Sequence, residues 1–222
     1  VMGYVRMSGG RTSLIVDVAT PPPGQATAEA HASTLAFELT TGRRPLIVNC
    51  GPGGTFGEEW RRAGRATQLH TTLVMDGYSS SWLGTRKSGP IWQEVLVETP
   101  RAVTSRYQLE ENAGTLLCGH DGYRRTHGMT HLRYMELGLD GRGLIGLDTL
   151  SVSEPEDQRR FDIAMDRSNM QGIPYTVRFH LHPEVESQLD MGGTAVSLVP
   201  RSGEICYNPS NKPSNIECRS SS

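Results

Sequence analysis

Hardly any window of this chain sustains the 3.6-residue apolar spacing of an amphipathic helix, and short alternating runs take its place. Arg11 to Val18 (RTSLIVDV) ends at the break Pro21-Pro22-Pro23-Gly24, and the residues before it already read as strand. Ser33 to Leu39 alternates apolar and polar, and Thr41-Gly42-Arg43-Arg44 then turns the chain into Pro45 to Asn49, a hairpin signature. Beyond the break Cys50-Gly51-Pro52-Gly53-Gly54, Phe56 to Ala66 is the one stretch that reads as a short helix or ordered loop. Further strands are expected at His70 to Met75, Trp92 to Val97, Ser105 to Glu110, Gly114 to Leu117, Tyr175 to His182 and Thr194 to Val199. The clearest hairpin joins His131–Leu139 to Leu144–Val152 through Asp140-Gly141-Arg142-Gly143. About ten short strands with no helices between them predict an all-β fold, a large antiparallel β-sandwich with almost no helix. From Tyr207 onward the sequence is Asn, Ser and Pro rich, so residues 205–222 are expected to form a poorly ordered tail after a domain spanning 1–204.

The charge balance excludes some partners. With 22 Lys and Arg against 24 Asp and Glu, the net charge is −2, which offers no basic field for nucleic acid and no obvious trap for a highly sulfated polyanion. No apolar run approaches the roughly 20 residues that cross a bilayer, so no membrane partner is expected. Val1 is not a natural start, and the N-terminus reads as a fragment boundary. Cys50, Cys118, Cys206 and Cys218 lack metal-finger spacing and read as free, mostly buried thiols, with Cys206 and Cys218 near enough in sequence to bridge in an oxidising compartment.

Chemistry must therefore be sought among histidines. His31 and His70 both stand just before strands, and Asn49 ends the strand between them. Two imidazoles and an oxygen donor at adjacent strand ends are a candidate set for a divalent metal such as zinc, against the alternative of ordinary hydrogen-bonded residues. His120 lies in Gly119-His120-Asp121-Gly122-Tyr123, followed by Arg124 and Arg125. It is a candidate catalytic residue if a turn brings it to a surface, with Tyr123 and Arg124 as candidate substrate contacts. His127 and His131 share a face only if their strand is regular, and His180 and His182 share one by alternation. Trp60, Trp82 and Trp92 with Tyr78 are candidates for sugar stacking or for packing, Trp82 being the one assigned to substrate. No GxSxG elbow, HExxH, P-loop or dinucleotide fingerprint is present.

Several stretches resemble, in order, the C-terminal domain of the heparinase II/III-like polysaccharide lyases. They are Ala30–Leu39 with Leu46–Gly51, Ala66–Val74, Gly119–Tyr123, Arg142–Asp148 and Arg178–Pro183, covering roughly residues 1 to 204. The resemblance implies a supersandwich-like β domain joined, in a parent chain, to an N-terminal helical toroid that these residues do not include. It implies β-elimination on acidic, uronic-acid-containing polysaccharides, glycosaminoglycans among them, in bacterial and typically periplasmic enzymes. It also implies zinc in some members, whose ligands fall on His31, Asn49 and His70, with Asn49 where the family has aspartate. The cleft histidine of the family's HxH pattern falls on Glu29, where a carboxylate stands as the candidate catalytic group. A lyase module and a non-catalytic module that binds carbohydrate or packs on a partner domain are both consistent with these residues. A homodimer formed through an exposed docking face is left open.

Overall fold

The computed structural model describes residues 3–75, 77–201, 205–209 and 214–219, the last two segments as backbone strands. In chain order the first strands are β1 (Tyr4–Gly9), β2 (Thr12–Asp17), β3 (Phe37–Thr41), β4 (Arg44–Val48), β5 (Leu73–Met75), β6 (Trp82–Ser88) and β7 (Ile91–Glu98). There follow β8 (Val103–Leu109), β9 (Ala113–Tyr123), β10 (Met129–Gly138), β11 (Gly143–Ser151), β12 (Tyr175–Val177) and β13 (His180–Leu181). The last are β14 (Val185–Asp190), β15 (Ala195–Pro200), β16 (Ile205–Pro209) and β17 (Ser214–Arg219). Among the described residues they are interrupted by the α-helices α1 (Glu58–Gly64), α2 (Arg124–His127) and α3 (Pro155–Arg167).

The strands make a five-stranded sheet of order β1-β2-β3-β4-β13 and an eight-stranded sheet of order β14-β15-β16-β17-β11-β10-β9-β8, with two small ribbons, β12-β5 and β6-β7. Among the described residues every strand pairing is antiparallel. Alternation becomes one buried and one open face: Thr12, Leu14 and Val16 point inward from β2, and His131, Arg133, Met135 and Leu137 from β10. Leu14, Val16, Leu39 and Ile47 of the smaller sheet meet Leu116, Cys118, Met135, Leu137, Leu144 and Leu198 of the larger one in a single core. Each such side chain contributes about 1.5–3 kcal/mol when fully buried.

One end of the sandwich is closed by two hairpin turns docked backbone to backbone. Gly10 N–H donates to the Leu139 carbonyl (2.8 Å), and Thr12 Oγ1 donates to the Gly141 carbonyl (2.7 Å). A Cβ on Gly141, whose φ is +72°, would lie 2.0 Å from the Gly9 carbonyl oxygen. The glycines of the two turns are thus what lets the sheets touch there.

Several sequence expectations are corrected. Within the stretch expected as a tail, residues 205–209 and 214–219 pair as β16 and β17, between β15 and β11 of the larger sheet. Cys206 and Cys218 are register partners there. The single strand expected at Tyr175–His182 is two, β12 on β5 and β13 on β4, because the chain crosses between sheets at Arg178 and Phe179. Residues 33–36 form a turn rather than the start of β3, with Leu35 in the left-handed region at φ 64°. Cys50 is exposed rather than buried. The 13-residue helix α3 was not foreseen.

Candidate functional site

A cleft of about 810 Å³ lies on the open face of the five-stranded sheet. Its floor is Tyr4, Ile15, Asp17 and Glu38 from β1, β2 and β3, and its walls are the loop carrying Glu29 and His31 and the loop from Asn49 to Pro52, with His70 at the back. Three stretches far apart in sequence thereby bring Glu29, His31, Asn49 and His70 to one place. Glu29 is exposed at the mouth, His31 is half-buried and His70 is 3% exposed.

The two histidines face each other, His31 Nδ1 lying 3.4 Å from His70 Nε2. Burial, then the charge of Arg65, lowers the pKa of His31; burial, then His31 and His180, lowers that of His70 to about 3. Both rings are therefore neutral at pH 7. His70 Nδ1 is buried without a hydrogen-bond partner. Behind the cleft, Cys50 Sγ approaches His180 Nδ1 at 3.3 Å, and His180 Nε2 donates to the Gln68 carbonyl at 3.0 Å.

The residues do not complete a zinc site. Two imidazole nitrogens on a tetrahedral zinc, each about 2.0–2.1 Å from the ion, stand about 3.3 Å apart, so the His31–His70 spacing suits one. The third position does not: Asn49 Oδ1 accepts the Thr71 N–H at 2.8 Å, and Asn49 Nδ2 donates to Glu38 Oε1 at 3.2 Å. The amide thus ties its own loop to the Thr71 backbone and to β3 instead of turning toward the imidazoles. Among the described residues no group of three His, Cys, Asp or Glu converges to hold an ion.

His120 is not in the cleft. It is 1% exposed, inside the sandwich, and its hydrogen bonds fix its tautomer. Gly122 N–H donates to His120 Nδ1 (3.0 Å), which leaves the proton on Nε2 to be given to His131 Nδ1 (3.3 Å); His131 Nε2–H then donates to Asp148 Oδ1 (2.7 Å). Arg133 closes the chain with Nε on Asp148 Oδ1 (2.7 Å) and Nη2 on Oδ2 (2.8 Å). Burial alone would raise Asp148, but the charge of Arg133 and the hydrogen bonds from His131 and Arg133 hold it well below the usual carboxylate range. The other nitrogen of the guanidinium, Nη1, donates to the carbonyls of Leu35 (2.7 Å) and Thr71 (3.2 Å). Arg133 therefore supports both loops that carry the cleft histidines. His120 belongs to this support, with both ring nitrogens engaged in the interior.

The three expected substrate contacts separate. Tyr123 is fully buried, and its hydroxyl donates to the Leu73 carbonyl at 3.2 Å, a core position. Trp82 and Arg124 line a second groove, with Arg124 Nη2 2.7 Å from buried Asp157. The missed cleft residues, Asp17 and Glu38, were legible only as polar positions on otherwise apolar strands.

A family model described as "Heparinase II/III-like, C-terminal" matches residues 1–221. The chain belongs to the heparinase II/III-like family. FtsZ-localized protein C of Caulobacter vibrioides is 29% identical to it over 202 residues, 88% of this chain and 32% of that protein. The chain thus spans about a third of the length of that curated relative. Among solved structures, heparan sulfate lyase HepC from Pedobacter heparinus superposes with a TM-score of 0.62 at 16% identity, covering 89% of this chain and 25% of the lyase. A heparinase III gives 0.61 at 11% identity, covering 98% and 33%. At these identities the likeness is one of fold, the β-sandwich of the heparinase II/III-like C-terminal domain.

Proposed function

We propose that this heparinase II/III-like chain is the sandwich half of a polysaccharide lyase, and that the His31 cleft receives a uronate unit of its substrate. The observation that carries this reading is the convergence of Glu29, His31, Asn49 and His70 in one open cleft. In β-elimination a base takes the C5 proton, the electron pair forms the C4–C5 double bond, the C4–oxygen bond breaks and the leaving oxygen is protonated. His31, neutral and half-exposed, is placed to act as the base or to orient it, and exposed Glu29 offers a second proton acceptor at the mouth. The cleft lining includes the carboxylates Asp17, Glu29 and Glu38 and no Lys or Arg. The cation that stabilises the developing charge on the uronate must then come from elsewhere in a parent protein. The isolated chain is accordingly expected to be inactive or nearly so.

The test is an assay of the full-length parent on uronate polymers, followed through the ultraviolet absorbance of the unsaturated product. His31→Ala should lower kcat by about 10²-fold or more with little change in KM, and Glu29→Gln should shift the pH profile. A second reading has one observation behind it, the 29% identity to FtsZ-localized protein C, which suits a non-catalytic docking or carbohydrate-binding sandwich. Failure of the full-length parent to generate unsaturated ends from any uronate polymer would favour that reading.

A further inference from the structure

Cys118 and Cys50 differ in what faces the sulfur. Cys118 is 0% exposed, and its thiol points to the Arg133 carbonyl at 3.5 Å. Cys50 is exposed, and its Sγ lies 3.3 Å from His180 Nδ1. The opposite nitrogen of that ring, Nε2, donates to the Gln68 carbonyl at 3.0 Å. A carbonyl can only accept, so the ring proton is fixed on Nε2 and Nδ1 turns its lone pair to the thiol. Both partners are anchored through their backbones. Cys50 N–H donates to the Leu69 carbonyl (3.1 Å), and His180 N–H donates to Thr71 Oγ1 (3.1 Å), with His180 opposite Val48 in the β4–β13 pair. A nucleophile, a base within hydrogen-bond reach and a third group that orients the base are thereby assembled from three separate stretches of chain. His70, close enough to His180 for their charges to interact, is itself neutral at pH 7 and does not oppose a charge on the His180 ring.

We propose that Cys50 and His180 form a reactive-thiol site at which the chain exchanges with small-molecule disulfides and comes to carry a mixed disulfide. The Cys50 S–H proton passes to His180 Nδ1 while the sulfur forms a bond to one sulfur of the disulfide. The S–S bond of the disulfide breaks, and the departing thiolate takes the proton back from Nδ1. Cys50 is oxidised, and half of the small molecule leaves reduced as a free thiol. Burial pushes the Cys50 thiol up rather than down, so the proton rests on sulfur until the imidazole removes it as the new bond forms. Cys118, with no base beside it and its thiol pushed up to about 12 by burial, is inert by comparison. The site stands whether or not the His31 cleft is catalytic, since Cys50, His180 and Gln68 are not part of the cleft lining. It does adjoin the cleft, because Asn49, Gly51 and Pro52, on either side of Cys50, form one of its walls.

The test is the rate at which the reduced chain reacts with dithiodipyridine at pH 7, followed by stopped-flow absorbance. Peptide mapping after treatment with glutathione disulfide then locates the adduct. The fast phase should map to Cys50, disappear in Cys50→Ser, and run about tenfold or more above the rate of a synthetic peptide of residues 46–54, which carries the same thiol without His180. His180→Gln should slow that phase about tenfold, with circular dichroism showing the fold intact. The comparison with the peptide needs no variant, so it decides the matter even if His180→Gln does not fold. A Cys50 thiol no faster than the peptide overturns the proposal. So does an adduct that maps away from Cys50, or a folded His180→Gln chain that reacts as fast as the original, which would leave exposure alone as the cause.

Discussion

His70, His120 and His131 are buried imidazoles whose pKa values lie below that of a free histidine chiefly because burial disfavours their charged forms. The unfolded chain takes up protons near pH 6.5 while the folded one does not, so stability is complete above that value and declines as pH falls below it. The expected slope is about 1.4 kcal/mol per pH unit for each fully depressed histidine, measurable by urea unfolding at pH 7.5, 6.0 and 5.0. Asp148, held low by Arg133 and His131, adds a further loss only at more acidic pH, below the usual carboxylate range. Asn49 carries a different expectation. Asn49→Asp places a carboxylate beside two imidazole nitrogens already at a suitable spacing, and should raise bound zinc from substoichiometric towards one per chain by elemental analysis. Unchanged metal content would mean that the ties to Thr71 and Glu38 hold position 49 away whatever its charge.

At the scale of elements, the docked turns invite a direct trial. Gly141→Ala adds a Cβ against the Gly9 carbonyl at a positive φ, and should cost on the order of 2–4 kcal/mol in urea unfolding; Gly143→Ala, with nothing near its Cβ, should cost much less. The hairpin that contains these glycines, β10 to β11, was legible because alternation and turn chemistry agree there. Helix α3 was not, because its hold on the sandwich is polar: Asp157 is its most buried side chain, and Ile163 is half exposed, so no apolar stripe marks it. The Pro155 start with Glu156 and Asp157 in the first turn was the signal available. Tyr175–His182 misled for the opposite reason, since alternation runs unbroken across a point where the chain changes sheets. The cleft histidines were legible through their family resemblance and strand-end positions. The His131–Asp148–Arg133 set was not, since its members meet only through register, Arg133 opposite Asp148 and His131 opposite His120. Polar residues at the inward positions of β10 were the available sign.

For the molecule as a whole, Arg133 is where the larger sheet meets the smaller sheet's cleft. Arg133→Met removes the cation from partly buried Asp148 and the donor from two carbonyls, and should destabilise by about 3 kcal/mol. Amide hydrogen exchange should accelerate around residues 32–36 and 70–72 before the rest of the core opens. Retained protection in those loops would show that Asn49 and the Thr71 hydroxyl, which donates to Val48, suffice to hold them. The contacts that Arg133 makes with the loops are to main-chain oxygens, at Leu35 and Thr71, and so are indifferent to which side chains the loops present. Position and chemistry are thereby separated at the exposed positions: a residue such as Glu29 at the mouth can be exchanged while the loops keep their places. The sandwich works as a mount on which different reactive groups, or none, can be carried at the same coordinates.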